Sequence, residues 1–331
     1  MDLRKIQITG GSSFMITLPK EWADSVNLKK NDTVGLQPQA DGSMIIYPGG
    51  TSTSPKGSTK TIEADGVEDK DFLYRKLVGA YIAGHDSIIL HSDVGLSSLA
   101  ASTASSFAQI AIGLEIMEES DTSIMIKDLM DRGEMRPAKS VDRMKVLVRN
   151  MLNDIMDGLE NGDVSLLDPM VDRDREVDRI DWLISRQVNI HQRDTGLSRR
   201  MGLDLCEISR CGYISRSLER IGDHAVLLAS NFRPLIDDPT DLDREIIATG
   251  RDVIALMVDS VGTWSNKDMD AANRCIERGE RLVKRSLELS DLADSLSGKP
   301  AMATELIAGS VKRVAEYSMD IAEIAINSAM D

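Results

Sequence analysis

The residues best suited to chemistry in this sequence are paired carboxylates that occur twice at helical spacing. Residues 216–225 and 313–322 both read Arg-x-x-Glu-x-x-x-Asp-x-Ala, and we interpret them as two copies of one unit. The pairs are Glu219 with Asp223 in the first copy and Glu316 with Asp320 in the second. Because positions i and i+4 share one face of a helix, the two acids of each pair lie side by side and repel each other. When such acids are partly buried, an arginine or a bound cation must compensate for the repulsion.

A second acidic stripe precedes the first copy. Asp174, Asp178 and Asp181 occur at i, i+4 and i+7, which again places them on one helical face. If this stripe faces Glu219 and Asp223 across a bundle, four or five carboxylates converge, as in helical proteins that bind two iron or manganese ions. The alternative is a solvated lattice of salt bridges, which the spacing alone favours. Its arginines would be Arg173, Arg175, Arg179, Arg216 and Arg220.

The second copy departs from this pattern. The helix before it offers Glu277 and Glu280, at a spacing of three, and Ile321 stands where the first copy has His224. These differences predict one strong metal site and one weaker site. We expect His224 to be a hydrogen-bonding neighbour of the site or a neutral interior imidazole, in preference to a direct ligand.

Long helices must position these acids. After Pro137 the apolar residues recur with helical period, and few helix breakers interrupt them. The predicted helices span 141–159, 169–191, 206–232, 241–264, 268–296 and 302–329. Segments 161–163, 234–239 and 297–300 supply turns between them. Each repeat, about 136–235 and about 236–331, is therefore expected to form a three-helix bundle.

Residues 61–135 are expected to form a small α/β layer in front of the bundles. Extended segments over 61–64, 87–91, 114–118 and 123–127 alternate with helical segments over 70–83 and 96–112. Before this layer, residues 49–60 are rich in Gly, Ser and Thr and contain almost no apolar side chain. That composition is typical of a flexible linker, so the residues before it are expected to form a separately tethered module.

The module, residues 1–48, shows short alternating segments with turn signals, which predict about four strands and one helical turn. A unit of this size is too small to bury a good core alone, so we expect it to dimerise. It resembles the AbrB/SpoVT family at 9–12 (Thr-Gly-Gly-Ser), 18–22 (Leu-Pro-Lys-Glu-Trp) and 28–32 (Leu-Lys-Lys-Asn-Asp). The resemblance implies a swapped-hairpin dimer that binds DNA or a protein partner.

Any DNA contact by this module would have to be local. The chain carries a formal net charge of -15, so the molecule as a whole repels polyanions. The basic residues that a dimer could align for DNA binding are Arg4, Lys5, Lys20, Lys29 and Lys30. Acidic residues of the module balance them, so a dimerisation or protein-contact role explains the same residues nearly as well.

The acidic stretches resemble the signature of PhoU proteins. The matching residues are Glu-Val-Asp-Arg-Ile-Asp at 176–181 and Leu-Glu-Arg-Ile-Gly-Asp-His-Ala at 218–225, and the resemblance extends over about 138–331. PhoU proteins are twin three-helix bundles whose signature carboxylates bind multinuclear iron or zinc clusters. They restrain phosphate uptake together with the phosphate ABC transporter and its sensor kinase. The resemblance implies that Asp174, Asp178, Glu219 and Asp223 are the best metal-ligand candidates, and it reverses the preference for salt bridges.

Composition and residue spacing argue against several other classes of protein. Apolar residues make up 42% of the 331 residues but aromatic residues only 4%, which favours helix packing over a β sandwich. Cys206, Cys211 and Cys275 lack the paired spacing of zinc or redox sites, and no apolar run is long enough to span a bilayer. The start of the chain does not read as a signal peptide, so we expect a cytoplasmic protein without membrane insertion. None of the histidines has a nucleophile at an informative spacing, so neither catalysis nor an organic cofactor is predicted.

The sequence therefore predicts a mainly α protein: a six-helix PhoU-like pair of three-helix bundles, preceded by a small α/β layer and an N-terminal swapped-hairpin β module. The predicted function is regulation of phosphate uptake and phosphate homeostasis. The regulator would be a homodimer or higher homo-oligomer that binds iron, zinc or manganese and acts on promoter DNA or on a transporter. Two alternatives stay open, a metal-independent adaptor that binds a transporter or kinase, and a regulator of another oxyanion such as molybdate.

Overall fold

The computed structural model describes residues 3–11, 13–38, 42–48, 58–131 and 136–330. The chain divides into two compact units, Met1–Gly57 and Ser58–Asp331, and each is described by itself. Residues 49–57 of the predicted linker, together with Ser12 of the motif at 9–12, lie outside the described residues.

The N-terminal unit consists of two small antiparallel sheets and one short helix. Strands β1 (Gln7–Thr9) and β2 (Ser13–Met15) form one pair, helix α1 is Lys20–Ser25, and strands β3 (Val34–Pro38) and β4 (Met44–Pro48) form the other pair. After β1, Gly10 and Gly11 adopt φ angles of 61° and 84°, which residues with a Cβ rarely adopt. These elements confirm the predicted four strands and one helical turn.

The described part of this unit contains no buried residue. Ile8 is 68% exposed, Phe14 77% and Leu36 59%. Helix α1 buries none of its residues either. Within one chain, the apolar side chains of the described part of this unit therefore form no buried core.

The second unit begins with a four-stranded sheet in the order β5-β6-β8-β7. Its strands are β5 (Thr59–Glu63), β6 (Ser87–His91), β7 (Leu114–Glu119) and β8 (Ser123–Asp128), and its helices are α2 (Lys70–Ile82) and α3 (Ser98–Ile110). β5 and β6 are parallel, whereas β8 is antiparallel to both β6 and β7. Ile88, Leu90 and Ile126 of the sheet share one core with Leu77 and Phe107 of the helices. The predicted order of strands and helices is confirmed, and β5 begins inside the predicted linker.

Six long helices and one short helix follow. They are α4 (Pro137–Asn161), α5 (Met170–Arg193), the short α6 (Thr195–Arg200), α7 (Leu205–Asp237), α8 (Asp243–Asn266), α9 (Met269–Ala293) and α10 (Gly298–Ala329). The six predicted helices are present, and their buried residues form a core distinct from that of the α/β layer. Among the described residues, no helix combines the length and apolar character needed to cross a membrane.

Two predicted connections have different bounds in the structure, because the proline in each predicted segment lies inside a helix. Helix α7 continues through Pro234 to Asp237. Leu235, just after the proline, is fully buried, and this packing offsets the cost of proline in the last turn. Helix α10 begins at Gly298, which places Pro300 in its first turn, where a missing N–H costs little. The short helix α6 was not predicted, and the Asp194 side chain caps it by accepting from the N–H of Leu197.

Helix α5 joins the α/β layer to the bundle through side chains on one face. Arg186 is only 2% exposed, and its guanidinium donates to the Asp128 carboxylate at 2.6 and 3.2 Å. Arg186, Asn189 and Arg193 also donate to carbonyl oxygens at and just beyond the end of α2, where helical N–H partners run out. Those oxygens belong to Tyr81, Ile82, Ala83 and His85, at 2.6 to 2.9 Å. The layer is thus held by hydrogen bonds from the helix that also carries the acidic stripe.

Candidate metal centre

The two acidic stripes predicted from the sequence meet between α5 and α7. The pKa of Asp174 rises to about 6, first because the carboxyl is half-buried and then because Asp223 and Glu219 repel its charge. The pKa of Asp178 also rises to about 6, through burial and through the charges of Asp174, Asp223 and Asp181. Acids of one helix therefore lie near enough to acids of the other to raise their pKa values.

Glu219 is the most buried acid that α7 contributes, at 9% exposure. Its Oε1 accepts a hydrogen bond from Arg216 at 2.9 Å, while its Oε2 is buried and accepts none. The Nε of Arg220 lies 3.7 Å from Oε2, beyond hydrogen-bond distance. Burial, and next the charge of Asp223, raise the pKa of Glu219 to about 7 in spite of Arg216. One oxygen of this carboxylate thus has no donor within the described residues.

Gly222 gives Asp174 its place against α7. A Cβ at position 222 would lie 2.9 Å from Asp174 Oδ1 and 3.3 Å from a methyl carbon of Val177. Asp174 Oδ1 is buried and has no hydrogen-bond partner among the described residues. The absence of a side chain at Gly222 therefore lets a carboxylate approach the helix backbone closely. Gly222 was not among the residues predicted for the site, although a glycine inside a helical pattern is a signal of close packing.

Asp181, the third acid of the α5 stripe, already accepts a hydrogen bond within the bundle. It is 7% exposed, and its Oδ1 accepts a hydrogen bond from the Ser215 hydroxyl at 2.6 Å. Burial raises the pKa of Asp181, while Ser215 and Arg216 lower it. Asp181 therefore borders the cluster as a hydrogen-bonded carboxylate, and its role as a metal ligand stays a prediction.

Most of the arginines that were expected to neutralise the stripes pair elsewhere. The α5 arginines contact acids outside the stripes: Arg173 with Asp154, Arg175 with Asp172 and Arg179 with Glu176. Arg216 pairs with Glu219, and Arg220 lies 3.2 Å from Asp223. Within the described residues, neither Asp174 nor Asp178 has an ion-pair partner. The salt-bridge alternative thus accounts for only part of the acidic cluster.

The chemistry of the cluster fits a cation. Carboxylate oxygens suit hard or borderline ions such as iron, manganese and zinc. The two buried oxygens without a donor, on Asp174 and Glu219, are suitable ligand atoms. In the part of the chain that the structure describes, no three His, Cys, Asp or Glu side chains are already arranged to hold a metal ion. Binding would therefore require the carboxylates to turn toward a common point.

In the second copy of the motif, the glutamate is neutralised within its own helix. On α10, Glu316 pairs with Lys312 at 3.2 Å and with Arg313 at 3.0 Å. Burial raises the pKa of Asp320, and the next causes are Glu323 and Glu316, which also lie on α10. The charges that act on this copy thus come from residues close in sequence.

Helix α9 does not carry a matching acidic stripe to α10. Gly279 lies so close to Met319 that a Cβ at position 279 would be 2.3 Å from the Met319 Cγ. Met319 stands at the motif position that Gly222 holds in the first copy, so a thioether fills the corresponding space. Because α9 turns Gly279 toward α10, Glu277 and Glu280 point to other sides, and both are exposed. The structure does not gather these two acids with the α10 pair, and their role in metal binding stays a prediction.

His224 lies between the motif helices of the two repeats. Its ring centroid is 6.0 Å from that of Tyr317 on α10. Nδ1 of His224 is buried without a hydrogen-bond partner in the described residues, and burial lowers its pKa. This placement matches the neutral interior imidazole, one of the two predicted roles.

The basic residues proposed for DNA contact lie in the N-terminal unit. Arg4, Lys5, Lys20, Lys29 and Lys30 are all exposed. The Asp32 carboxylate accepts the backbone N–H of Lys29 at 2.7 Å and so fixes the loop that carries the last two lysines. Their role in DNA binding stays a prediction.

Two family models match the chain. The PhoU domain matches residues 141–231, and a family described as antidote-toxin recognition MazE, a bacterial antitoxin, matches residues 7–54. The PhoU match covers the repeat in which the acids converge. A search of curated proteins found no match.

Solved structures are similar to the helical part. PhoU from Pseudomonas aeruginosa is 18% identical, with a TM-score of 0.50, over 59% of this chain and 95% of that chain. The phosphate transport system regulatory protein PhoU from Streptococcus pneumoniae is 16% identical, with a TM-score of 0.50, over 58% of this chain and 92% of that chain. At these identities the likeness concerns the fold, and it confirms the predicted PhoU-like pair of helical bundles.

Proposed function

We propose that the chain regulates phosphate uptake through a cation bound between α5 and α7. The observation that carries the proposal is the pair of buried carboxylate oxygens without a donor among the described residues, on Asp174 of α5 and Glu219 of α7, where Asp174 packs against Gly222 inside the repeat that matches the PhoU domain. One structural relative is a phosphate transport system regulatory protein, and we extend that role to this chain. The partners would be components of a phosphate ABC transporter or its sensor kinase. The role is regulatory, and no catalytic step is assigned.

In this proposal the four predicted ligands of α5 and α7 hold iron, manganese or zinc. The bound ion supplies the positive charge that relieves the repulsion among them. Arg216 orients Glu219 through its hydrogen bond, and Gly222 leaves space for Asp174. Because the acids come from two helices, loading or loss of the ion would change how firmly α5 is held against α7.

The second candidate is a metal-independent adaptor whose acidic face binds a basic surface of a transporter or kinase. It is favoured by the lack of a ready-made group of three ligands among the described residues. Such binding would weaken steeply with added salt and would survive chelator treatment. The cation proposal requires the opposite response to a chelator.

Phosphate uptake in cells tests the proposal. A strain without this protein is expected to continue taking up phosphate when phosphate is plentiful, and the wild-type gene should restore the restraint. The combined substitution Asp174→Asn with Glu219→Gln should fail to restore it, because the amides keep the shape of the side chains and remove their charges. Radiolabelled phosphate uptake measures the difference.

The matched control is Glu288→Gln with Asp291→Asn, which removes two exposed carboxylates from the last turns of α9 and should restore restraint like the wild type. Equal uptake with and without the protein would refute the proposed function. Full restraint by the Asp174 and Glu219 variant would favour the adaptor.

The N-terminal unit is proposed to dimerise the chain and to contact promoter DNA or a protein. Its match to an antitoxin family and its exposed basic residues support this role. The exposed Ile8, Phe14 and Leu36 supply apolar surface that a second copy can cover.

Phe14→Asp is expected to convert the dimer to a monomer at micromolar concentration. A charge placed in an apolar interface loses its water and gains no partner, which weakens association by at least about a hundredfold. Sedimentation velocity across a concentration series measures the effect. Val94→Asp, at an 86% exposed position of the other unit, is the control and should leave the dimer intact. A wild-type protein that sediments as a monomer, or a dimer that Phe14→Asp leaves intact, would contradict this prediction.

A further inference from the structure

A polar groove lies beside α8 and α9, and none of its lining residues belongs to α5. It runs between the last turns of α8 and the first half of α9, with a lysine of α4 at its side. Its charged lining residues are Lys145, Asp259, Asp268, Arg274, Glu277, Arg278 and Arg281. The groove thus holds more positive than negative side chains, in a chain whose formal net charge is -15.

Three arginines of α9 form one stripe in this groove. Arg274, Arg278 and Arg281 occur at i, i+4 and i+7, the spacing that the acids of α5 also show. Within the described residues, neither Arg274 nor Arg281 forms an ion pair. Both Arg274 and Arg278 lower the pKa of the buried Cys275 thiol, although burial raises it more. The positive charges of Arg274 and Arg278 therefore act on the same thiol.

The acids of the groove are already engaged. Asp259 accepts from the Nη1 of Arg278 at 2.8 Å. Glu277 accepts from the amide of Asn273 at 2.9 Å, and Asp268 accepts from the first turn of α9 as its N-cap. These contacts leave the arginine stripe with donors in excess.

Arg278 is the member of the stripe with buried hydrogen-bond donors that lack an acceptor in the described part of the chain. Its Nε and Nη2 are buried and have no hydrogen-bond partner among the described residues. These two groups form one edge of the guanidinium, where two parallel N–H bonds match two oxygens of a carboxylate or phosphate. Buried donors are nearly always paired in folded proteins, so an acceptor absent from the chain itself is indicated.

We propose that this groove binds a tetrahedral oxyanion of the phosphate class, and that Arg278 turns its buried Nε and Nη2 edge into the groove to contact two of the oxygens. Arg274 and Arg281 add positive charge on either side along α9. The choice of phosphate among oxyanions rests on the proposed function, whereas the existence of the site rests on the groove alone. The second repeat would then bind an anion, while the first binds a cation.

Titration calorimetry of the full-length protein with inorganic phosphate tests the site. The measurement is made as purified and again after chelator treatment, which separates phosphate bound to metal from phosphate bound to the groove. Saturable binding is expected in both states. Arg278→Gln should weaken it about tenfold to a hundredfold, the loss expected for a hydrogen-bonded charge pair. Arg281→Gln, an exposed change that spares the fold, should weaken it several-fold.

Arg285→Gln is the matched control on the same helix. Its guanidinium is already bonded to Glu245 at 2.6 Å and to Asp252 at 2.8 Å, so phosphate binding should not change. Absence of saturable binding to the wild type, or equal weakening by Arg285→Gln and Arg278→Gln, would overturn the site. Tighter binding of sulfate or molybdate than of phosphate would overturn the assignment to phosphate. None of these results alters the metal content of the α5–α7 acids, so the two proposals fail separately.

Discussion

Arg186→Met is expected to lower the free energy of unfolding of the second unit by about 3–5 kcal/mol. Arg186 neutralises Asp128, whose side chain is only 7% exposed, and also satisfies the carbonyl oxygens of Tyr81 and His85. The methionine would fill similar volume but would leave a buried carboxylate without a counter-charge. Urea denaturation followed by circular dichroism measures the loss.

Two further variants identify the cause of that loss. Arg193→Met removes an exposed arginine whose one described bond is to the Ala83 carbonyl, and it should cost about 1 kcal/mol or less. Adding Asp128→Leu to Arg186→Met should recover much of the stability, because the unpaired charge is then gone. If the free energy of unfolding of Arg186→Met differs from that of the wild type by about 1 kcal/mol or less, this ion pair does not hold the α/β layer against α5.

The second large effect concerns metal affinity. Asp174→Asn with Glu219→Gln should weaken binding of iron, manganese or zinc by more than about a hundredfold, since even indirect neighbours of metal sites contribute ten- to a hundredfold. Both substitutions remove a partly buried negative charge that neighbouring acids repel, so the fold should be kept or slightly stabilised. Competition with a chromophoric chelator measures the affinity.

The control for this experiment comes from the second repeat. Glu288→Gln with Asp291→Asn changes two exposed acids in the last turns of α9, outside both predicted ligand sets. Metal affinity should therefore stay at the wild-type value. Equal loss in both double variants would mean that overall negative charge, and not the α5–α7 cluster, attracts the ion.

The convergence of the acids was predictable because helical spacing fixes which residues share a face. Asp174 and Asp178 lie one turn apart, as do Glu219 and Asp223, and an acidic face inside a bundle must meet something. The sequence could not reveal how the closest approach is achieved. That depends on Gly222, whose missing Cβ matters only once α5 is known to cross α7 at this position.

The second repeat shows where the same reasoning stops. Its motif keeps Glu316 and Asp320, so a weaker site was predicted with Glu277 and Glu280. Which face of α9 meets α10 is decided by packing of Gly279 against Met319, and spacing within one helix does not encode that choice.

Buried arginines were also beyond the reach of sequence patterns. Arg186 reads as one more charge on a charged helix, yet it is almost fully buried. Its partners are more than 50 positions away in the chain, on β8 and at the end of α2. Long-range pairs of this kind have no local signature, whereas the helix and strand periods that were predicted correctly are local.

Elemental analysis of freshly purified full-length protein tests the central claim most directly. Acids from α5 and α7 that repel each other between two helices should retain a cation, so roughly one or more iron, zinc or manganese ions per chain are expected. The metal should be absent from the Asp174→Asn, Glu219→Gln protein prepared in parallel. Wild-type protein that contains no transition metal, and that gains none when the ions are supplied during refolding or dialysis, would contradict the account.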